Sequence, residues 1–333
     1  MVRTEYFLLR LLCSMFVASS FKLMSTIQTF KVFQNGILPF TINDLKRREE
    51  PLKVLMCSPE YFDIVDVKNI HMEGNESLLN KDLALKQWND LHAVYKVLIA
   101  QNIITELNVI PGAVGCEDMV FCANQTFPWL NNLSQKEVWM SKMRHPSRQK
   151  EVPHFETYFQ TLGYTPKHFQ VTPLFEGMGD TIPHPGKSLL YGGYGHRSDV
   201  SAYTELSEKL VVPIIALELI NENFYHLDTC FVPLSETQVM LCKEAFTSEG
   251  LDLLRQSFEE IYEIPMDEAI ATFCLNAHVI HNHINGHKVA IIQTGSTVAK
   301  SVLERCQYQV IEVETSEFMK SGGSVFCMKM MYY

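Results

Sequence analysis

The chain has no C-x-x-C pair, no linker rich in proline, glycine or serine, no block of like charge, and no apolar run clean enough to cross a bilayer. Each absence excludes something. Nine cysteines in irregular, unpaired spacing read as reduced, mostly buried thiols rather than a zinc site or a disulfide framework. Without linkers, the 333 residues have no obvious point of division. Basic residues number 28 against 38 acidic ones, a net charge of −10, and this lacks the clustered Lys and Arg that a nucleic-acid partner requires. A cationic small molecule suits that balance better.

The content is that of an ordinary globular protein, 47% hydrophobic and 20% charged. Residues 1–30 stand apart as a leader. The stretch FLLRLLCSMFVASSF, with Arg3 before it and Arg10 inside it, is too short and interrupted for a transmembrane helix. It reads as a signal peptide, a mitochondrial targeting helix, or an extension ahead of a true start at Met24. Sequons occur at Asn75, Asn124 and Asn132, but Asn124 lies in an apolar run where a glycan has no room. A cytoplasmic or mitochondrial location is therefore expected over secretion.

Residues 50–333 read as one domain. Short β-rich runs (53–56, 107–110, 118–123, 188–191, 213–217, 223–232, 289–293 and 308–313) alternate with helical patterns (83–101, 152–162, 199–209, 249–261 and 297–306). This is an α/β fold with a sheet-built centre. The tract HVIHNHINGHKVAII holds four histidines, which invites a metal reading. Its Asn285-Gly286 turn signal predicts a two-residue hairpin in which His287 pairs opposite Ile284 while His281 and His283 face the other side, so the set does not converge on one ion.

Four segments carry polar residues that a structural strand or turn would not need. In FYHLDTCF, His226 and Asp228 share a face if the run is a strand, although a core histidine with a satisfied aspartate explains them too. In LFEGMGD, Glu176 and Asp180 flank glycines, as a solvated turn also could. SGGSVFCM delivers Cys327 onto a short final strand, where a thiol can equally be a small apolar residue. In EDMVFCAN, Asp118 and Asn124 share a face of an apolar strand and need partners. Together they suggest more. A cysteine nucleophile needs a base or electropositive neighbour, and the base needs an orienting carboxylate, roles open to Cys327, His226 and Glu176. Asp118, Asp180 and Asp228 then form a negative pocket for a planar guanidinium.

In this order the motifs EDMVFCAN, RHPSRQKE, FEGMGD, GHRSD, FYHLDTCF and SGGSVFCM resemble the guanidine-modifying branch of the pentein superfamily: arginine deiminases, dimethylarginine dimethylaminohydrolases, arginine dihydrolases and amidinotransferases. The resemblance runs from Val54 to Met330. It implies an α/β-propeller of five ββαβ-type units around a pseudo-fivefold axis, with the substrate in the central channel and neither metal nor organic cofactor. It implies that Cys327 attacks the guanidinium carbon and that His226 protonates the leaving nitrogen and then activates water. Glu176 orients His226, Asp228 and Asp118 grip the guanidino nitrogens, and Arg197 and Arg148 hold the amino-acid end of the substrate, though each arginine alone reads as a surface charge.

Two departures matter. FEGMGD is one residue longer than the EGGD of many members, which leaves the role of Asp180 open. Asn124 stands where deiminases and dimethylarginine hydrolases usually place a carboxylate, and an amide there resembles the arginine dihydrolases, which carry arginine past citrulline to ornithine, ammonia and carbon dioxide. The alternatives are a dimethylarginine or citrulline hydrolase, an amidinotransferase, and a silent pentein that only binds. A papain-like protease fits poorly, because no C-G-S-C-W segment is present.

Overall fold

The alternating runs resolve into five sheets in a computed structural model that describes residues 32–171 and 173–333. The leader expectation of residues 1–30 lies outside the described residues. One pattern recurs five times: a short first strand, an antiparallel second strand, a crossover helix, and a third strand parallel to the second. Thr126–Leu130, Lys136–Met140, Val152–Thr161 and Thr165–Lys167 form one such unit. Others begin at the strands Thr181–Pro183, Phe231–Pro233 and His278–His281. In the remaining unit the order along the chain is permuted. Its first strand is the C-terminal Met330–Tyr332, which pairs antiparallel with Lys53–Cys57. The two ends of the described chain thus close the ring of five ββαβ units that the resemblance implied. Val32–Phe33 adds a parallel edge strand against Ile214–Glu218.

Local sequence explains the elements. In the helix Lys81–Ala100 the residues Ala84, Trp88, Leu91, Tyr95 and Leu98 recur at helical spacing and are buried, while Asn80 caps the start by accepting from Leu83 N at 3.0 Å. The second strands are buried on both faces, so Val54–Cys57 and Val289–Gln293 are continuous apolar runs apart from the terminal glutamine.

Five expectations need correction, three of them for one reason. Residues 118–123 are tight turns, not a strand, and the strand begins only at Thr126. Residues 223–232 contain loop and a 3-10 turn, Leu227–Thr229, before the short strand Phe231–Pro233. Cys327 likewise sits in a turn ahead of Met330–Tyr332 rather than on it. Apolar content marked these segments as strand because the turns themselves are buried. Fourth, the helix expected over 249–261 stops at Ser257, and Glu260–Glu263 is the third strand of its unit.

The histidine hairpin is also longer than two residues. His281 pairs with Lys288, and Asn282 N donates to His287 O at 2.9 Å, so His287 lies opposite Asn282 and not Ile284. Gly286 takes the positive φ of that turn (77°). His278 points inward to Tyr95 OH at 2.9 Å, and the His281 and His283 rings meet at a tilt with centres 4.0 Å apart.

Candidate active site

Each first strand is preceded by a turn that places one polar side chain at the same end of the ring. They are Asn124, Asp180, Asp228, Asn276 and Cys327, one from each unit, and all are buried. The fivefold repeat converges these chemically different residues. Cys327 Sγ lies 3.3 Å from Asp228 Oδ2, to which the thiol donates, and accepts from Asn276 Nδ2 at 3.1 Å. Asn276 Oδ1 in turn accepts from the backbone N–H of Cys327 (3.1 Å) and of Ser324 (3.0 Å). The preceding Gly322 adopts φ +84°, which brings the turn back toward Asn276.

Asn276 is the residue that sequence reasoning missed. Its signal was positional: LNAHVI places a polar residue just ahead of a first strand, as NQTF, DTCF and CMKM do in other units. Replacing it by alanine strands two buried N–H groups, and we expect Asn276→Ala to lose about 2–4 kcal/mol of stability in denaturant unfolding. An unchanged unfolding midpoint would show that the cysteine turn does not depend on it.

His226 stands two residues before Asp228 in extended backbone, and its Nε2 lies 2.6 Å from Glu176 Oε2. Burial alone would raise the Glu176 carboxyl, but Arg197 (3.3 Å) and the His226 hydrogen bond hold it well below the usual carboxylate range. Glu176 is therefore an anion that only accepts, so Nε2 carries the proton and Nδ1 presents the lone pair. Burial, opposed by Glu176 and reinforced by Arg197 and Arg148, lowers the His226 pKa to about 4, so the ring rests neutral.

Both carboxylate oxygens of Asp180 are engaged inside the protein. Its Oδ2 accepts from Ser198 Oγ at 2.7 Å and its Oδ1 from Leu227 N at 3.1 Å, so it braces the turn that carries His226 and Asp228. Burial pushes its pKa well above the usual range. The residue added in FEGMGD makes Gly177–Asp180 a single helical turn. A Cβ on Gly179 would overlap Asn124 Nδ2, so glycine is what lets the two turns approach.

The arginines are engaged within the protein. Arg148 Nη1 donates to Asn124 Oδ1 at 3.1 Å, its Nη2 to the carbonyls of Asp118 and Phe121, and its Nε and Nη2 to Glu151. Arg197 bridges Glu176 and the Lys68 carbonyl and lies 4.6 Å over the Tyr225 ring. Lys68, which the sequence did not single out, sets its ammonium 2.9 Å from Asp118 Oδ2.

Cys327, Asp118, Asn124, Arg148 and Arg197 line one cavity. Two buried atoms near the thiol have no hydrogen-bond partner, Asp228 Oδ1 and Asn124 Nδ2, while Asp118 Oδ2 is ion-paired to the Lys68 ammonium. Because arginine only donates, Arg148 fixes the Asn124 oxygen toward itself and leaves the NH₂ unpaired. A free carboxylate oxygen, a second carboxylate held only by a lysine, and a free amide donor beside a thiol match a planar group bearing N–H on two sides. Burial, and then the adjacent Asp228, push the Cys327 thiol well above its usual range, while burial raises Asp228 to about 7. Cys327 therefore rests as a neutral thiol.

A five-unit propeller with cysteine, histidine and carboxylates at one end of its ring defines the guanidine-modifying pentein class. Within that class, residues 59–332 match the model of the eukaryotic N,N dimethylarginine dimethylhydrolase family, and the chain belongs to it. The bifunctional arginine dihydrolase/ornithine cyclodeaminase AgrE of Nostoc sp. is 31% identical over 277 residues, covering 83% of this chain and 37% of that protein. The N(G),N(G)-dimethylarginine dimethylaminohydrolase of Mycobacterium tuberculosis is 26% identical over 282 residues, 85% of this chain and 86% of its own length. Among solved structures, the substrate-bound N-terminal domain of ArgZ, a cyanobacterial arginine dihydrolase, superposes with a TM-score of 0.76 at 29% identity, over 84% of this chain and 97% of that domain. The chain thus spans little more than a third of the full-length dihydrolases.

Proposed function

We propose that residues 50–333 form a single catalytic domain that hydrolyses guanidino and ureido C–N bonds of arginine or a close derivative. The observation that carries this reading is the polar set at Cys327: Asp228 Oδ1 and Asn124 Nδ2 unpaired, and the Asp118 carboxylate beside them in the cavity. The two carboxylate oxygens accept from guanidinium nitrogens. Cys327 Sγ attacks the guanidinium carbon as the thiol proton passes to His226 Nδ1. His226 delivers a proton to the departing nitrogen, which leaves as ammonia and gives a thiouronium on Cys327. His226 Nδ1 then takes a proton from water, the oxygen adds to the same carbon, and the thiol departs. The product is a ureido group. Arg197 and Arg148 carry positive charge at the site, with Arg197 nearer the mouth, where it can meet a substrate carboxylate. The eight free cysteines among the described residues, all buried, favour a reducing compartment such as cytosol or mitochondrion. No helix among the described residues is long and apolar enough to cross a membrane.

Asn124 favours the dihydrolase outcome. A carboxylate at that position would repel the oxygen of a neutral ureido group, whereas the free Asn124 NH₂ can donate to it. A second round then expels ammonia from the ureido group and hydrolyses the thiocarbamate, leaving ornithine and carbon dioxide. Wild-type protein given arginine should release ornithine, and Asn124→Asp should stop mainly at citrulline. Mass spectrometry of products from arginine, methylarginines and citrulline tests both. Citrulline alone from wild type, or dimethylamine from dimethylarginine with arginine ignored, would sink the dihydrolase reading.

A further inference from the structure

A second chamber, separate from the thiol cavity, is walled by the first strands themselves, through Ile182, Phe231, Val232 and Ile280. Met178, Phe326 and Lys329 line it as well, and each is a near neighbour in sequence of a residue that faces the thiol site. The walls are apolar, so the charged groups stand out. Arg48 is compensated by Glu50 at 2.7 Å and also donates to Tyr333 OH at 3.0 Å. His278 is held by Tyr95, and burial keeps its ring neutral.

Lys329 is different. It is 1% exposed, yet its ammonium makes no hydrogen bond or ion pair among the described residues. The ammonium lies over the face of Phe326, 3.2 Å from the ring centre. A buried cation left with only a ring face is costly, and proteins satisfy such groups with a partner or a ligand. Burial lowers the pKa of Lys329 to about 7, with Asp228, Cys122 and Cys327 the acidic groups that oppose the shift. None of those three reaches ion-pair distance.

We propose that this rear chamber is a second ligand site, for a small organic monoanion: a carboxylate on an unbranched apolar tail, the carboxylate at Lys329 Nζ and the tail along Phe231, Val232 and Ile280. The site is independent of the reaction assigned to Cys327. An apolar tail buries against the first strands, and the carboxylate supplies the charge-assisted hydrogen bonds the ammonium lacks.

Hexanoate, hexanol and hexylamine, titrated calorimetrically into the full chain, test it. Hexanoate should bind saturably with one site and raise the melting temperature, while hexanol and hexylamine bind roughly 10-fold more weakly or worse. Lys329→Met, which keeps the length of the side chain and removes its charge, should erase the preference for hexanoate over hexanol. Alkylation of Cys327 should leave hexanoate binding intact, which separates this chamber from the thiol cavity. Absence of saturable hexanoate binding, equal affinity for hexanoate and hexanol in wild type, or loss of hexanoate binding on alkylation would each overturn the proposal. The wild-type comparison stands even if Lys329→Met fails to fold.

Discussion

Cys327→Ser should lose turnover by ~10⁴-fold or more, with folding and substrate binding retained. Serine keeps the size and polarity needed to accept from Asn276 Nδ2 and donate to Asp228 Oδ2. What it loses is an accessible anion. The resting thiol is already hard to ionise, because burial and the Asp228 carboxylate both oppose the thiolate. On the mechanism proposed here, the missing stabilisation comes with the substrate: a guanidinium seated between Asp118 and Asp228 brings a positive charge to the sulfur. A serine hydroxyl starts several units higher and cannot be brought down by the same charge.

The same reasoning separates two kinds of alkylating agent. Neutral iodoacetamide should modify Cys327 slowly at neutral pH, whereas an alkylating agent carrying an amidinium should inactivate much faster and be blocked by arginine. Wild-type rates in Cys327→Ser would end the covalent mechanism. Fast modification by iodoacetamide would end the idea that the substrate's own charge activates the thiol.

How far the sequence foretold this site depends on which property is asked for. Helices such as Lys81–Ala100 and the doubly buried second strands were legible because their burial repeats at the helical period or runs unbroken. Identities at the site were legible too, since His226, Glu176, Asp228 and Cys327 are polar or reactive groups in apolar surroundings. Their backbone was not. EDMVFCAN and FYHLDTCF look like strands because their apolar residues are buried, yet the chain there forms turns whose carbonyls and amides are satisfied inside the protein, as when Ala123 N bonds to Cys327 O at 3.2 Å. Local pattern cannot distinguish a buried turn from a buried strand. Asn276 escaped for a related reason: one amide in LNAHVI carries no motif, and only its place ahead of a first strand gives it meaning. The arginines show the opposite failure. Their sequence context matched the resemblance, but the contacts of Arg148 with Glu151 and Asn124 depend on long-range packing that no spacing reveals.

His226→Ala should slow the reaction by about 10²–10⁴-fold, and the loss should fall unequally on its two halves. In the first half the leaving nitrogen needs a proton, and Asp228, with its pKa near 7, stands beside the sulfur as an alternative carrier. In the second half water must be deprotonated as it adds to the thiouronium carbon. On the proposed mechanism the base is the lone pair of His226 Nδ1, with the ring held by Glu176 through the 2.6 Å bond to Nε2. Removing the ring therefore hurts hydrolysis more than attack, and the intermediate should collect as added mass on Cys327 in intact-protein mass spectrometry. Added imidazole, small enough to enter the space left by the side chain, should restore part of the rate and discharge the adduct. Glu176→Gln gives the companion result. The amide can offer an N–H to the ring in place of the carboxylate, so it no longer enforces the tautomer with Nδ1 free, and the same adduct should appear at higher residual activity. A His226→Ala protein with near wild-type turnover would remove His226 from the reaction. A slow variant that gathers no adduct and ignores imidazole would instead place its role in the attack step, with Asp228 unable to substitute for it.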